Sequence, residues 1–94
     1  MTELTITRPD DWHVHLRDGD ALAHTCADMA RYFQRAIVMP NLTPPVTTVA
    51  AAASYRDRIM AAQEVLPRKF DPLMTLYLTD TTDAAEIQLA AASD

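Results

Sequence analysis

Two histidines and an arginine occupy alternate positions near the start of the chain: His13, His15 and Arg17. If residues 12–16 form a β-strand, these side chains share one face of it. The opposite face would then carry the apolar side chains of Trp12, Val14 and Leu16. Two imidazoles on one face can reach a single metal ion, and a guanidinium one step further can hold an anionic group beside that ion. The spacing therefore predicts a metal site with an adjoining anion site.

The elements that would position these residues are three strand–helix pairs. Alternating or continuous apolar residues predict strands at residues 12–16, 36–39 and 72–78, after a short extended piece at residues 4–8. We expect the apolar run at residues 36–39 to be covered on both faces. Alternation of strands and helices is typical of an α/β fold with a parallel sheet, in which ligands bind at the carboxyl ends of the strands.

The helices are predicted from apolar spacing and from capping residues. The first has an apolar stripe of Leu22, Cys26, Met29, Ala30 and Phe33. The second begins after a cap at Thr47 or Thr48. Its apolar stripe consists of Ala52, Tyr55, Ile59, Ala62 and Leu66. Asp83 and Glu86 predict a capping box at the start of a third helix.

Composition and charge limit the function classes. The chain has 94 residues, 49% of them hydrophobic and 22% charged, which is typical of one small globular domain. Its net charge of −5 argues against nucleic acid as a partner, because phosphate binding requires a basic face. The single cysteine, Cys26, is expected to be a buried apolar residue. With no secretory signal pattern and no membrane-length apolar run, we expect a cytoplasmic protein.

Three longer blocks resemble the dihydroorotase family. Residues 11–19, DWHVHLRDG, resemble the first strand of that family. Residues 36–48, AIVMPNLTPPVTT, are similar to the second strand and the double-proline loop after it. Residues 72–80, PLMTLYLTD, resemble the third strand. The blocks occur in the family's order along almost the whole chain, and they favour the shorter, bacterial-type branch.

The resemblance implies a (β/α)8 barrel of the amidohydrolase superfamily. Because such a barrel requires about 250 residues, residues 1–94 would form a partial barrel domain, the first three strand–helix units. The implied reaction is the reversible conversion of N-carbamoyl-L-aspartate to dihydroorotate in pyrimidine biosynthesis, by an enzyme that is a homo-oligomer, a dimer, when complete. No nucleic acid or membrane partner is implied.

The resemblance also implies a site with two zinc ions, bridged by hydroxide and a carbamylated lysine. By position, His13 and His15 would bind one zinc ion, and Arg17 and Asn41 would bind the substrate carboxylate. The bridging lysine, two further histidine ligands and the aspartate general base would lie beyond residue 94. We therefore expect no catalytic residue in this chain and no activity from the chain alone. Lys69, the only lysine, follows the second helix and is not expected to bridge the metals.

Other interpretations stay open at the level of sequence. The chain could be a noncatalytic dihydroorotase-like module for assembly or metal binding, or a short open sheet that stabilises itself by association. It could also be a sister amidohydrolase, such as a hydantoinase or allantoinase, although Arg17 and Asn41 suit a substrate carboxylate. In the simplest interpretation the histidines are solvated, Arg17 pairs with Asp18 or Asp20, and Asn41 only ends a strand.

Overall fold

The computed structural model describes residues 8–79 and 81–93. Its elements in chain order are β1 (Asp10–Val14), a short 3-10 helix (Gly19–Ala21), α1 (Leu22–Tyr32), β2 (Arg35–Val38), α2 (Val49–Ala62), β3 (Asp71–Met74) and α3 (Ala84–Ala92). The strands form one sheet in the order β1-β2-β3, with both pairs parallel, as the alternation predicted. Apart from Arg8, the extended piece predicted at residues 4–8 lies outside the described residues, as does Asp80.

A β-bulge interrupts β1 at the histidine motif. Asp11 pairs with Ala36 and Val14 pairs with Val38, so two residues of β1 face one residue of β2 between these rungs. The backbone N–H of His13 donates to the carboxylate of Asp11 at 3.0 Å, which gives this donor a partner within the bulge. The strand also ends earlier than predicted, at Val14.

The predicted apolar face of β1 is correct at two positions and wrong at the third. Leu16 is 1% exposed, and Val14 packs against the core. Trp12, however, is 60% exposed. It lies in the bulge, where strict alternation is lost, and the guanidinium of Arg35 sits 5.7 Å from its ring centroid. Trp12 therefore makes a cation–π contact with Arg35 and is not buried under a helix.

The third strand is shorter than predicted, ending at Met74 instead of residue 78. β3 pairs only with β2, which ends before Pro40 because a proline has no N–H for the ladder. Beyond Met74 the chain bonds to a different segment. The backbone N–H of Tyr77 donates to the carbonyl of Val46 at 2.7 Å. The apolar run at residues 72–78 therefore continues as a loop contact.

The core lies between the sheet and the helices. Its buried hydrophobic residues are Leu16, Leu22, Cys26, Met29, Ala30, Ala36, Val38, Val46, Ala52, Tyr55, Ile59 and Phe70. On β2, Ala36 and Val38 are each 1% exposed, whereas Ile37 between them is only half-buried. The expectation that both faces of this strand are covered is therefore wrong for the described residues, because the helices pack against a single face.

The predicted caps of α2 and α3 are confirmed, but the capping box is only half formed. Thr48 caps α2 and accepts a hydrogen bond from the N–H of Ala51 at 3.1 Å. Asp83 caps α3 in the same way, accepting from the N–H of Glu86 at 3.0 Å. The carboxylate of Glu86 does not complete the box and instead accepts a hydrogen bond from the N–H of Val49. It thereby links α3 to the first turn of α2.

Among the described residues, Gln63 is the polar residue whose side chain is buried, at 0% exposure. Its amide nitrogen donates to the carbonyl of Phe70 at 2.9 Å, and its amide oxygen accepts from the N–H of Phe70 at 2.9 Å. This paired contact holds the segment between α2 and β3 against the end of the helix. The amphipathic pattern did not single out Gln63, since its partner is a backbone group seven positions away.

Cys26 lies in the core at 0% exposure, as predicted. Burial raises the pKa of its thiol to about 11, so the nucleophilic thiolate is scarce at neutral pH. We expect a thiol-modifying reagent to leave Cys26 unlabelled in the folded chain and to label it fully in denaturant. Rapid labelling without denaturant, followed by mass spectrometry, would contradict the buried placement.

No helix in the described ranges is both long enough and apolar enough to cross a bilayer.

Candidate metal and carboxylate site

The two histidine rings meet at the carboxyl end of β1. Their Nε2 atoms are 3.0 Å apart, the ring centroids are 4.9 Å apart, and the ring planes are inclined at 66°. Both side chains are exposed. In a tetrahedral site with Zn–N bonds of 2.0–2.1 Å, two ligand nitrogens lie about 3.3 Å apart. His13 and His15 therefore need only a small adjustment to hold one zinc ion between them.

The pair supplies two ligands, and a structural or catalytic zinc site requires at least three from protein. Among residues 8–79 and 81–93, no group of three or more His, Cys, Asp or Glu side chains is placed to hold a metal ion. Lys69 does not extend the pair, because its Nζ donates to the carbonyl of Leu66 at 3.1 Å. It also precedes β3, at the end of the sheet opposite His15.

Arg17 and Asn41 line the same cavity, of about 390 Å³. Its other lining residues are Asp18, Leu42, Thr43, Pro44, Pro45, Val46, Ala51, Ser54 and Arg58. The structure thus places Arg17 and Asn41, which follow different strands in the sequence, around one cavity. His13 and His15 are not part of this lining, so the metal pair and the cavity are separate features of the same sheet edge.

The loop after β2 presents Asn41 to the cavity. The carbonyl of Pro40 accepts hydrogen bonds from the N–H groups of Leu42 and Val46, both at 2.9 Å. The loop therefore closes around Pro40, and Asn41 follows it as an exposed residue. A proline at this position ends the strand, and the next residue is then free to project at the carboxyl edge.

Arg17 lies in a turn whose backbone carbonyls accept hydrogen bonds from side chains of α1 and α2. Its φ is 64°, in the left-handed region. The carbonyl of Leu16 accepts from the hydroxyl of Thr25 at 2.7 Å, and the carbonyl of Arg17 itself accepts from the hydroxyl of Tyr55. These contacts fix the segment that precedes α1.

Asp18 forms its ion pair with Arg58, not with Arg17. The Nε and Nη2 atoms of Arg58 lie 3.0 Å and 2.8 Å from the two carboxylate oxygens. The hydrogen bond from Arg58 lowers the pKa of the Asp18 carboxyl group, against a smaller opposing effect of burial. The simple interpretation, in which Arg17 pairs with Asp18 or Asp20, is therefore wrong, because the ion pairs among the described residues do not include Arg17.

Sequence reasoning missed Arg58 and placed Tyr55 only in the core. The sequence contained only a weak indication of the role of Arg58. Ser54 and Arg58 are four positions apart on a helix, a spacing that allows the hydrogen bond of 2.9 Å between them. Nothing local links Arg58 to Asp18, which is 40 positions earlier.

Thr79 forms part of a turn, in which its carbonyl accepts a hydrogen bond from the N–H of Thr82 at 3.1 Å. Its backbone N–H donates to the hydroxyl of Thr82 at 3.0 Å, and its own hydroxyl lies 3.0 Å from that of Thr81. These bonds use its polar groups locally. His24 is exposed on α1.

Known proteins similar to this chain are dihydroorotases. The dihydroorotase of Vibrio cholerae is 63% identical over 93 residues, which is 99% of this chain and 27% of that protein. The dihydroorotase of Cupriavidus necator is 67% identical over 96 residues, again 99% of this chain and 27% of that protein. No protein-family model matches the chain.

Two solved structures share the fold. The 2.4 Å crystal structure of Campylobacter jejuni dihydroorotase aligns with a TM-score of 0.79 and 35% identity, covering 90% of this chain and 25% of that one. The dihydroorotase of Saccharomyces cerevisiae in complex with 5-fluoroorotic acid aligns with a TM-score of 0.74 and 31% identity, covering 89% of this chain and 22% of that one.

The chain spans 27% of the length of the curated relatives it matches, and it corresponds to their N-terminal part. The similarity extends over 99% of the chain, and it includes the strand that bears the histidine pair. On these grounds the chain belongs to the dihydroorotase family and corresponds to the N-terminal portion of its members.

Proposed function

We propose that this chain carries part of the active site of a zinc-dependent dihydroorotase, which interconverts N-carbamoyl-L-aspartate and dihydroorotate. The observation that carries the proposal is the convergence of the Nε2 atoms of His13 and His15, 3.0 Å apart at the carboxyl edge of a parallel sheet. The names of the relatives support the reaction. Since the chain spans about a quarter of their length, the activity is proposed for the complete protein.

The proposed architecture is the first three units of a (β/α)8 barrel. The parallel order β1-β2-β3 and the coverage of one sheet face by helices support it, because barrel strands carry helices on the outer face only. The half-buried Ile37 would then face the barrel interior. Ligand-binding groups at the carboxyl edge also suit this architecture.

His13 and His15 would hold one zinc ion through neutral imidazoles. Bound zinc lowers the pKa of a coordinated water molecule and polarises a carbonyl group. The exposed rings lie at the carboxyl edge of the sheet, where ligands supplied by a larger protein could complete the coordination. The bulge in β1, within which the backbone N–H of His13 donates to the carboxylate of Asp11, would set the direction of the His13 ring.

Arg17 and Asn41 would bind the carboxylate of the substrate. A guanidinium binds a carboxylate through two parallel hydrogen bonds, and an amide N–H₂ adds a third donor. The yeast relative was crystallised with 5-fluoroorotic acid, a pyrimidine that carries one carboxyl group, which suits this donor set. The role of these two residues is orientation of the substrate relative to the metal.

A chimera tests the proposal. Residues 1–94 would replace the matching segment of Vibrio cholerae dihydroorotase, to which they are 63% identical. We expect the chimera to hydrolyse dihydroorotate with a kcat/KM within roughly tenfold of the parent enzyme. A chimera that is folded and loaded with zinc but inactive would contradict the proposal and would favour a noncatalytic module.

Arg17→Met in this chimera tests carboxylate binding. Methionine keeps much of the apolar length but removes the donors, so we expect kcat/KM to fall by roughly 100-fold or more, chiefly through KM. Arg68→Met is the matched control, because Arg68 is exposed on the segment before β3. An unchanged KM for dihydroorotate in Arg17→Met would contradict the assigned role.

The chain by itself is expected to show no turnover. It offers two metal ligands among the described residues, and zinc in catalytic sites has three protein ligands. The measurement is a hydrolysis assay on the purified chain supplied with zinc, with the active chimera as positive control. Turnover above the zinc-only background would show that the ligand set is sufficient without the rest of the enzyme.

A further inference from the structure

The turn that carries Arg17 is held by contacts that the proposed chemistry does not use. We propose that Tyr55, together with the Asp18–Arg58 ion pair, is a positioning device that keeps the Arg17 guanidinium in the carboxylate-binding cavity and free for its ligand. This inference rests on the proposed role of Arg17 as the carboxylate-binding residue. It assigns a role to two residues of α2 that do not themselves act on the metal.

The need for such a device follows from the backbone of Arg17. Its φ of 64° lies in the left-handed region, where a residue with a Cβ is disfavoured. A conformation of this kind persists only when the surrounding structure holds it in place. Without restraint the turn would relax to a right-handed or extended conformation, and the side chain would leave the cavity it shares with Asn41.

Tyr55 supplies the direct restraint. It is 0% exposed, and its hydroxyl donates to the carbonyl of Arg17. Burial raises the pKa of this hydroxyl to about 12, so it stays protonated and remains a donor at neutral pH. The ring is packed in the core, which gives the hydroxyl little freedom to follow a moving carbonyl.

The ion pair of Asp18 supplies the second restraint. Arg58 holds both carboxylate oxygens, at 3.0 Å and 2.8 Å, while its Nη1 donates to Ser54 at 2.9 Å. Its guanidinium also lies 5.3 Å from the ring centroid of Tyr55. Because Asp18 is engaged by Arg58, this adjacent carboxylate does not neutralise Arg17. The cavity therefore keeps a cation available for an incoming carboxylate.

The test is a double-mutant cycle in the chimera described above. Tyr55→Phe removes only the hydroxyl, and Tyr32→Phe is the matched control, because Tyr32 is 60% exposed at the end of α1. We expect Tyr55→Phe to raise KM for dihydroorotate roughly tenfold, with a smaller change in kcat. In an Arg17→Met background, the same substitution should change kcat/KM less than twofold. Arg58→Met should likewise raise KM when Arg17 is present, since it releases Asp18.

The outcomes separate this inference from the proposed function. Equal losses in kcat/KM from Tyr55→Phe with and without Arg17 would mean a purely structural role and would overturn the inference. An unchanged KM in Tyr55→Phe would overturn it too. If the unsubstituted chimera is inactive, the proposed function fails first, and the inference fails with it. Thermal unfolding of each variant shows whether a loss of kcat/KM reflects misfolding. If Tyr55→Phe misfolds, the KM of Arg58→Met tests the inference instead, because Arg58 lies on the exposed side of α2.

Discussion

Replacing either His13 or His15 by alanine is expected to abolish zinc binding by the pair and dihydroorotase turnover in the chimera. Each ring supplies one of two converging nitrogens, 3.0 Å apart, and neither has a substitute among the described residues. Loss of outer-sphere partners alone costs 10–100-fold in metal affinity. Loss of a direct ligand should therefore exceed roughly 100-fold in affinity and reduce kcat by a larger factor.

The measurement is competition for zinc against a chromogenic chelator, combined with the hydrolysis assay. His24→Ala is the matched control, since His24 is a third histidine exposed on α1 and away from the pair. Equal zinc affinity in all three variants would show that the converging rings are an ordinary contact between two surface side chains. The same comparison on the chain alone should show weaker binding, because a partial ligand set binds metal less tightly.

Gln63→Leu is expected to cause the largest loss of stability. The substitution leaves the buried N–H and carbonyl of Phe70 without the amide that bonds both at 2.9 Å. Each unsatisfied buried group costs about 1–3 kcal/mol, so we expect the free energy of unfolding to fall by roughly 2–6 kcal/mol. Single domains have free energies of unfolding of about 5–15 kcal/mol, so a loss of this size would remove a large share of the total stability.

Urea unfolding followed by circular dichroism measures this effect. Gln88→Leu is the control, because Gln88 is exposed on α3 and should change stability by less than about 0.5 kcal/mol. Gln63→Glu adds a sharper comparison, since a carboxylate can accept from the N–H of Phe70 but cannot donate to its carbonyl. A midpoint for Gln63→Leu equal to that of Gln88→Leu would mean that the Phe70 groups find other partners.

The features predicted well from sequence depend on neighbours in the chain. Thr48 and Asp83 cap their helices as expected, because a cap bonds to a backbone group three positions later. Cys26 is buried because helical spacing places it on the apolar stripe of α1. His13 and His15 meet because they are two positions apart, although the bulge in β1 was not foreseen.

The features that were missed depend on partners distant in the chain. Glu86 bonds to Val49 instead of closing its own capping box. Trp12 stays exposed because a bulge and the guanidinium of Arg35 alter its surroundings. The third strand stops at Met74 because β2 offers no further rung. No local pattern encodes these pairings, since each requires two segments to be folded against one another.

Sequence by itself determined the order of strands and helices, the caps of α2 and α3, and the chemical character of the carboxyl edge of the sheet, because periodicity and motif spacing are properties of neighbouring residues. Tertiary structure alone decided which side chains support that edge. Only packing of α2 against the turn before α1 brings Tyr55 to the carbonyl of Arg17 and Arg58 to Asp18, 38 and 40 positions apart. Contacts of such separation arise from the global arrangement of the chain, which local residue preferences do not specify.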